Sequence, residues 1–296
     1  MIVHEAATTA GHDRHSQFEG LVVTDLDGTL LRSDGTIHTD DIRTLEELGE
    51  NGYLRVIATG RSVFSFNRGI NIPVPVDYIV FSTGAAVMKY PENRIIRSVN
   101  LERREVEYIQ KVLMNHGLDF MVHRAVPDNH MFAYHWTGRE NPDFIRRLAL
   151  YEGFCRPLNP ENDAFDRAAQ LIAVVPGGMG QTVYDTLRSQ LQDKFNVIRT
   201  TSPLDGVSTW VEVFPGDVSK SLTTAWLATR LGIRARHVMA VGNDYNDLDL
   251  LQWSGAGFVV DNAPRDLKYR FASVASNDDA GVTDAVHAWL GEKSRR

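Results

Sequence analysis

One stretch of the chain decides the fold: Leu21-Val22-Val23-Thr24-Asp25-Leu26-Asp27-Gly28-Thr29-Leu30-Leu31. Its apolar, β-branched first half predicts a buried strand. Ionised carboxylates are rarely buried unless they are paired or bind a metal, so packing does not explain the two acids. We expect the strand to deliver Asp25 and Asp27 into a site at its carboxyl end, where open α/β sheets bind their ligands.

The two acids suit different steps of one reaction. Asp25, at the tip of the strand, can act as a nucleophile towards phosphorus. Asp27 lies just past the strand, where it can give a proton to a leaving oxygen and later take one from water. Gly28 allows a sharp turn after the strand. The alternative is an ordinary Asp-Gly turn with no catalytic role.

Length and composition favour a two-domain globular enzyme. The chain has 296 residues, 43% of them hydrophobic, and a net charge of −7, which argues against a nucleic-acid partner. No apolar stretch is long enough to span a membrane. Residues 1–19 are interpreted as a flexible tail without a signal core, and the histidines there as solvated: His4, His12 and His15. A single cysteine, Cys155, suits the reducing cytoplasm.

Strand and helix patterns alternate along much of the chain. Asp40 and Asp41 open a helix that Gly52 ends. The remaining strands are predicted at Leu54–Ala58, Tyr78–Ser82, His237–Val241 and Gly257–Val260. This alternation implies parallel βαβ units and a doubly wound, mainly parallel α/β sheet.

The middle of the chain has a different pattern. Met131–Trp136 alternates as a half-exposed strand of an antiparallel sheet does, and Gln181–Phe195 predicts an amphipathic helix. We therefore expect an α+β domain at residues 85–215, inserted into a core made of residues 20–84 and 216–296.

Three further segments carry chemistry. Thr59-Gly60-Arg61 follows a strand and offers a hydroxyl and N–H groups to a phosphate, although simple helix capping would also explain Thr59. Lys220 lies in the first turn of a helix, where the dipole disfavours a cation, so we expect it to offset phosphate charge and Asp25. A solvated surface lysine is the alternative.

The third segment, Gly242-Asn243-Asp244-Tyr245-Asn246-Asp247, places acids and amides at another strand end. Hard oxygen ligands with carboxylates across the site suit Mg²⁺. An Asn- and Asp-rich helix start is the other interpretation.

Taken in order, these segments resemble the haloacid dehalogenase (HAD) superfamily of phosphohydrolases, and more narrowly its Cof-like branch, subclass IIB. The matching parts are DLDGTLL, ATGR, the SKS turn and the acidic motif at 242–247. Segments 260–264 and 276–282 also resemble this branch. The resemblance covers nearly all of the chain after Gly20, and it implies a Rossmann-like core with a C2-type cap inserted at residues 85–215.

The resemblance also implies roles for single residues. Asp25 would attack phosphorus and form an aspartyl-phosphate, and Asp27 would act as acid and then as base. The transferred phosphoryl group would be held by Thr59, Gly60 and Lys220. Mg²⁺ would be bound by Asp25, the Asp27 carbonyl, Asn243 and Asp247. Three more residues are expected to contact the substrate or support these ligands: Arg61, Asp244 and Asn246.

One residue departs from the family pattern. Asn243 stands where the family usually has an aspartate that reaches the metal, so we expect a weaker Mg²⁺ site, unless Asp244 or Asp247 takes over. An Asn243→Asp change should tighten it.

The resulting expectation is a cytoplasmic, Mg²⁺-dependent phosphatase acting on a small phosphorylated metabolite such as a sugar phosphate. A phosphotransferase or phosphomutase using the same intermediate, and a weakly catalytic sugar-phosphate-binding regulatory module, stay open. The sequence does not indicate the oligomeric state. The cap offers several polar residues for the substrate: His116, His123, Arg124, His130, His135, Arg139 and Arg156.

Overall fold

A computed structural model describes residues 18–70, 72–159 and 165–293. The expected flexible tail at 1–19 lies outside these ranges except for its last two residues, and so do the three histidines predicted to be solvated. At the first described residues, the N–H of Glu19 donates to the carbonyl of Gly52 at 3.1 Å. None of the helices in the described ranges is both long and apolar enough to cross a bilayer.

The described ranges contain fifteen strands and nine α-helices. The strands are β1 (Gly20–Thr24), β2 (Tyr53–Ala58), β3 (Tyr78–Phe81), β4 (Ala86–Lys89), β5 (Arg94–Ser98), β6 (Leu101–Glu102), β7 (Asp119–Arg124), β8 (Phe132–His135), β9 (Cys155–Pro157), β10 (Arg167–Val175), β11 (Phe195–Thr201), β12 (Thr209–Pro215), β13 (Val238–Gly242), β14 (Ala256–Val260) and β15 (Ala272–Val274). The helices are α1 (Thr39–Glu50), α2 (Val63–Gly69), α3 (Arg103–Asn115), α4 (Pro142–Leu150), α5 (Gly180–Leu191), α6 (Lys220–Arg230), α7 (Leu248–Trp253), α8 (Arg265–Lys268) and α9 (Gly281–Lys293).

The first sheet has eight strands in the order β15-β14-β13-β1-β2-β3-β4-β5. The six strands from β15 to β3 pair in parallel, and β4 and β5 add an antiparallel hairpin at one edge. The predicted mainly parallel α/β sheet is confirmed, and its predicted strands lie within about a residue of the observed ones. Its order requires crossovers that place helices on both faces.

Alternate residues of β1 serve the two faces of this sheet. Val22 belongs to one buried cluster, which includes residues of α1 and α9, whereas Leu21 and Val23 belong to another, which includes residues of α6 and α7. All three side chains are fully buried. Burial of each is worth about 1.5–3 kcal/mol, so β1 contributes to the buried clusters on both faces of the sheet.

The second sheet has seven strands, with the order β11-β12-β10-β7-β8-β9 and β6 beside β10. One of its faces packs on α3 and α5 around residues such as Val122, Leu171 and Leu187. The predicted strand at 131–136 is β8. The helix expected to reach Phe195 ends at Leu191, because Phe195 starts β11 by pairing with Pro215.

The hairpin β4–β5 lies in the first sheet, although it follows the expected domain boundary at residue 85. Val80 of β3 is paired with Val87 of β4, and β5 continues the same sheet. We therefore propose that the cap comprises about residues 99–215. Its two ends lie side by side, because Arg97 just before it forms an ion pair of 3.2 Å with Asp217 just after it.

Candidate active site

The carboxyl ends of three neighbouring strands bring the predicted motifs together. Asp25 follows β1, Thr59 follows β2, and Asn243 follows β13. Thr24 pairs with Val241 on one side and Ile57 on the other, so the three strands end at the same level. The site therefore lies at the edge where parallel sheets bind their ligands.

Lys220 joins two carboxylates beneath this edge. Its Nζ donates to Oδ1 of Asp25 and to Oδ1 of Asp247, each at 2.6 Å, and the side chain is fully buried. Ser219 caps α6 by accepting the N–H of Leu222, which starts the helix at Lys220. Charge-assisted bonds of this length are among the stronger ones in proteins.

Burial and charge act on this cluster in opposite directions. Burial raises the pKa of Asp25 to about 7, with Lys220 opposing the rise and Asp247 adding to it. Burial also opposes the charge on Lys220, but Asp247 and Asp25 outweigh it and raise the pKa of the ammonium. Lys220 is therefore a fixed cation beside the predicted nucleophile.

Both oxygens of Asp247 are engaged within the protein. Oδ1 accepts from Lys220, while Oδ2 accepts the N–H groups of Asn243 at 3.0 Å and Asp244 at 3.2 Å. The side chain has no exposed surface. This geometry favours a positioning role for Asp247. The metal-ligand role that the sequence predicts for Asp247 stays a prediction.

Three other oxygen atoms converge beside Asp25. With the amide oxygen of Asn243 facing the site, it lies 3.1 Å from Oδ2 of Asp25 and 3.2 Å from the carbonyl oxygen of Asp27. Among the described residues, only the hydroxyl of Thr29 donates to this amide oxygen, at 3.2 Å. Turning the amide would put its NH₂ group there instead. A hard cation among the oxygens favours the first arrangement, so this donor set fits Mg²⁺.

The candidate set contains one carboxylate, one amide and one backbone carbonyl. Within the described ranges, no three or more His, Cys, Asp or Glu side chains form a metal cluster. Gly28 allows the close approach, since it has φ +72° and a Cβ there would lie 2.6 Å from Nδ2 of Asn243. A larger residue at this position would disturb Asn243.

Asp27 is held by Arg61 rather than buried. The guanidinium donates through Nε to Oδ2 at 2.9 Å and through Nη2 to Oδ1 at 2.6 Å. Nearly half of the Asp27 side chain is exposed, and it lines the cavity. Arg61, expected to contact substrate or support ligands, thus contacts the predicted acid and base.

The hydroxyl hydrogen of Thr59 has no acceptor among the residues that the structure describes. Its Oγ1 accepts the N–H of Arg61 at 3.0 Å, and the side chain is buried. A hydroxyl that accepts one bond still has its own proton to donate. Gly60, beside it, lines the cavity.

Asp244 connects this edge to the cap sheet. Its carboxylate accepts the N–H of Thr201 at 2.8 Å and the hydroxyl of Thr201 at 3.1 Å. Burial raises the pKa of Asp244, and the bond from the Thr201 N–H opposes the rise. Next to it, the Arg199 guanidinium lies 3.6 Å from the centroid of the Tyr245 ring. Asn246 lines the cavity directly.

A cavity of about 700 Å³ separates the core from the cap sheet. This volume is typical of small-molecule sites. We call its two sides the core wall and the cap wall. The core wall includes Asp25, Asp27, Gly60, Arg61, Asn243 and Asn246, and the cap wall includes His123, Asn129, His130, Arg147, Gln170, Trp210 and Glu212.

The cap wall contains two of the seven cap residues suggested by the sequence, His123 and His130. Five were missed: Asn129, Arg147, Gln170, Trp210 and Glu212. Two of these have a signal in the pattern, because Gln170 and Glu212 are polar residues inside otherwise apolar strands. His123 lies opposite Gln170, and Glu212 opposite Ile172.

Comparison with known proteins places this architecture in a family. Residues 22–286 match the model of the haloacid dehalogenase-like hydrolases. YxeH of Bacillus subtilis is 24% identical, with 90% of this chain and 97% of that protein covered.

Two solved structures have a similar fold. BT1666 from Bacteroides thetaiotaomicron, described among phosphatases of this superfamily, is 17% identical with a TM-score of 0.71, and 95% of this chain and 98% of that chain are covered. BT4131, described as a subclass IIB sugar phosphatase, is 17% identical with a TM-score of 0.70, covering 91% and 98%. The chain therefore belongs to the haloacid dehalogenase-like hydrolase family, as a Cof-like enzyme of its phosphatase group.

Proposed function

We propose that this protein hydrolyses a small phosphomonoester in the presence of Mg²⁺, through an aspartyl-phosphate formed on Asp25. The observation that carries this proposal is the Asp25 carboxylate, which Lys220 holds at 2.6 Å in the floor of a cavity that Asp27 also lines. A nucleophile with a fixed cation behind it and an acid beside it suits phosphoryl transfer.

The reaction has two steps on these residues. A carboxylate oxygen of Asp25 attacks phosphorus, the bond from phosphorus to the alcohol oxygen breaks, and Asp27 gives its proton to that oxygen. A water molecule then attacks the phosphorus of the intermediate and loses a proton to Asp27. The bond to Asp25 breaks, so inorganic phosphate leaves and the carboxylate is restored.

Other residues stabilise the transferred group. The free proton of the Thr59 hydroxyl, the backbone of Gly60 and the Lys220 ammonium supply donors for its oxygens. Mg²⁺ would be held by Oδ2 of Asp25, the Asp27 carbonyl and the Asn243 amide oxygen. When bound, it reduces the repulsion between the Asp25 carboxylate and the phosphate dianion.

The alternative of a binding module with little turnover rests on Asn243 alone. Asp25, Asp27 and Lys220 together count against it, because a binding site needs no nucleophile paired with an acid. We keep the cytoplasm as the proposed location, in line with the single cysteine.

The test is phosphate release from a panel of phosphomonoesters and one activated aryl phosphate, with and without Mg²⁺. Asp25→Asn should lower the rate at least about 1,000-fold, since it removes the nucleophile. Asp185→Asn on the exposed side of α5 makes the same chemical change away from the cavity and should leave the rate unchanged. Equal rates for the wild type and Asp25→Asn would reject the proposal.

A further inference from the structure

The cap wall contains buried polar atoms that have no hydrogen-bond partner among the described residues. They are Nε2 of His123, Oδ1 of Asn129, Nδ1 of His130, Nε of Arg147 and Oε1 of Gln170. A buried polar atom without a partner costs about 1–3 kcal/mol. All five atoms belong to residues that line one cavity, which indicates a wall whose polar groups a ligand can complete.

Arg147 is the cation of this wall. Its guanidinium lies 4.2 Å from the ring centroid of Trp210 and 5.3 Å from that of Tyr151. Stacking of this kind occupies the faces of the guanidinium and leaves its in-plane N–H donors available. The side chain of Arg147 forms no hydrogen bond and no ion pair within the described part of the chain.

The two acids nearby already have other partners. Asp143 accepts from the Ser202 hydroxyl and from Nε1 of Trp210, both at 2.7 Å. Glu212 accepts from the Thr200 hydroxyl at 2.8 Å and from the Gln170 amide at 3.4 Å.

The charge of Arg147 is therefore only partly compensated, because no carboxylate of the described residues forms an ion pair with it. Burial lowers the pKa of the guanidinium, against the attraction of Tyr151, Glu212 and Asp143. Burial also raises the pKa of Glu212, and the bond from the Thr200 hydroxyl and the charge of Arg147 oppose the rise. A half-buried cation without an ion-pair partner carries part of this cost, and a ligand anion is the partner that would remove it.

His123 and Gln170 offer acceptors. Nδ1 of His123 lies 2.7 Å from the carbonyl oxygen of Asn129, which can only accept, so Nδ1 carries the proton and Nε2 is an acceptor. Burial, aided by Arg147, lowers the pKa of His123 to about 3, which keeps the ring neutral. The Gln170 NH₂ group faces Glu212, which directs its oxygen elsewhere.

We propose that the alcohol part of the substrate carries a second anionic oxygen group, a carboxylate or a phosphate, which Arg147 binds, and a hydroxyl group that donates to His123 and Gln170. This substrate class rests on the proposed phosphatase function. The reacting phosphate lies against the core wall, and the second anion lies against the cap wall.

Two matched pairs of substrates test the proposal. They are glycerol 3-phosphate against 3-phosphoglycerate, and fructose 6-phosphate against fructose 1,6-bisphosphate, with p-nitrophenyl phosphate as a baseline. We expect kcat/KM to favour the more anionic member of at least one pair by about 10- to 100-fold, the range given by a hydrogen bond to a charged group. The pair with the larger preference distinguishes carboxylate from phosphate.

Arg147→Met should reduce this preference to within about threefold, since it removes one such charged bond. Hydrolysis of the aryl phosphate, which carries no second anion, should fall less than hydrolysis of the more anionic substrates. Arg147→Lys keeps the charge and should retain part of the preference. Arg188→Met is the matched control, because Arg188 stacks on Tyr184 in α5 and is exposed away from the cavity.

Calorimetry of the Asp25→Asn protein with the members of both pairs measures the same preference without turnover. Equal binding of the two members within both pairs, or an equal loss of kcat/KM on every substrate in Arg147→Met, would overturn the inference. Asp25-dependent hydrolysis of the aryl phosphate without such a preference would leave the phosphatase proposal standing. No Asp25-dependent hydrolysis would reject the phosphatase proposal, while the binding comparison still decides the role of Arg147.

Discussion

The two walls of the cavity differ in how far their buried polar groups are hydrogen-bonded within the protein. On the core wall, Asp25 and Asp247 share the buried ammonium of Lys220, and the second oxygen of Asp247 is bonded to backbone N–H groups. On the cap wall, Arg147 and Gln170 keep buried atoms without partners. The groups that we propose act in the reaction are fixed by protein contacts, whereas the groups that we propose recognise the ligand keep unsatisfied atoms.

The difference has a physical reason. Preorganised charges need no rearrangement when charge develops in the transition state, so a complete network favours the reaction. Recognition gains from unsatisfied atoms, because the ligand removes a cost that the free protein bears. The two walls should therefore respond differently to substitution.

The largest difference is expected in stability. Lys220→Met leaves two carboxylates buried together without a cation and should lower the free energy of unfolding by about 3–5 kcal/mol. Gln170→Met, its counterpart on the cap wall, loses one long bond to Glu212 and should cost less than about 1 kcal/mol. Urea unfolding at pH 8 measures both. Equal costs would remove the distinction between the walls.

Acid should lower the free energy of unfolding through His123 on the cap wall. Its pKa falls from 6.5 to about 3 in the folded protein, so the unfolded chain takes up the proton first. The free energy of unfolding should therefore be unaffected by the titration of His123 above about pH 6.5. Below that pH, the titration of His123 should lower it by about 1.4 kcal/mol per pH unit.

Unfolding free energies at pH 5.5 and 4.5 check this dependence. The pH slope of His123→Gln should be shallower than that of the wild type, because glutamine does not titrate in this range. The same slope in both proteins would mean that His123 is protonated in the folded state.

The smallest effect concerns the metal site on the core wall. Asn243→Asp adds a carboxylate to the oxygens of Asp25 and Asp27, and should tighten Mg²⁺ binding about tenfold. Calorimetric titration with Mg²⁺ measures this without substrate. Asn246→Asp, which adds the same charge elsewhere on the cavity wall, should change the affinity less. Equal or weaker affinity in Asn243→Asp would rule out Asn243 as a direct ligand.

The core was predictable because its strands, helices and strand-end residues follow from patterns in short stretches of sequence. Alternating strands and helices fix a parallel sheet, and polar residues at strand ends meet at one edge, so the sequence led to Asp25, Thr59, Lys220 and Asn243. The partners of the Asp247 oxygens were not predictable, because they depend on where Lys220 and two backbone N–H groups lie in space. The hairpin β4–β5 was assigned to the cap for a similar reason, since strand patterns do not say which sheet a strand joins.

The cap wall was harder to predict because its residues come from separate elements without a motif. His123 and His130 were among the polar cap residues that the sequence suggested for the substrate. Arg147 in α4 was not, because its position has the pattern of a solvated helix residue. Gln170 is more informative, because it interrupts the apolar strand β10 at a position facing the cavity. Polar residues inside apolar strands of an inserted domain are the signal to look for.

The side-by-side entry and exit of the cap make it an exchangeable module. A foreign cap joined beside Arg97 and Asp217 would leave Asp25 and Lys220 in their own network, so a chimera could acquire a new substrate preference with an unchanged reaction. Such a graft would have to keep an N–H and a hydroxyl at the position of Thr201, since Asp244 uses both to hold the cap over the site.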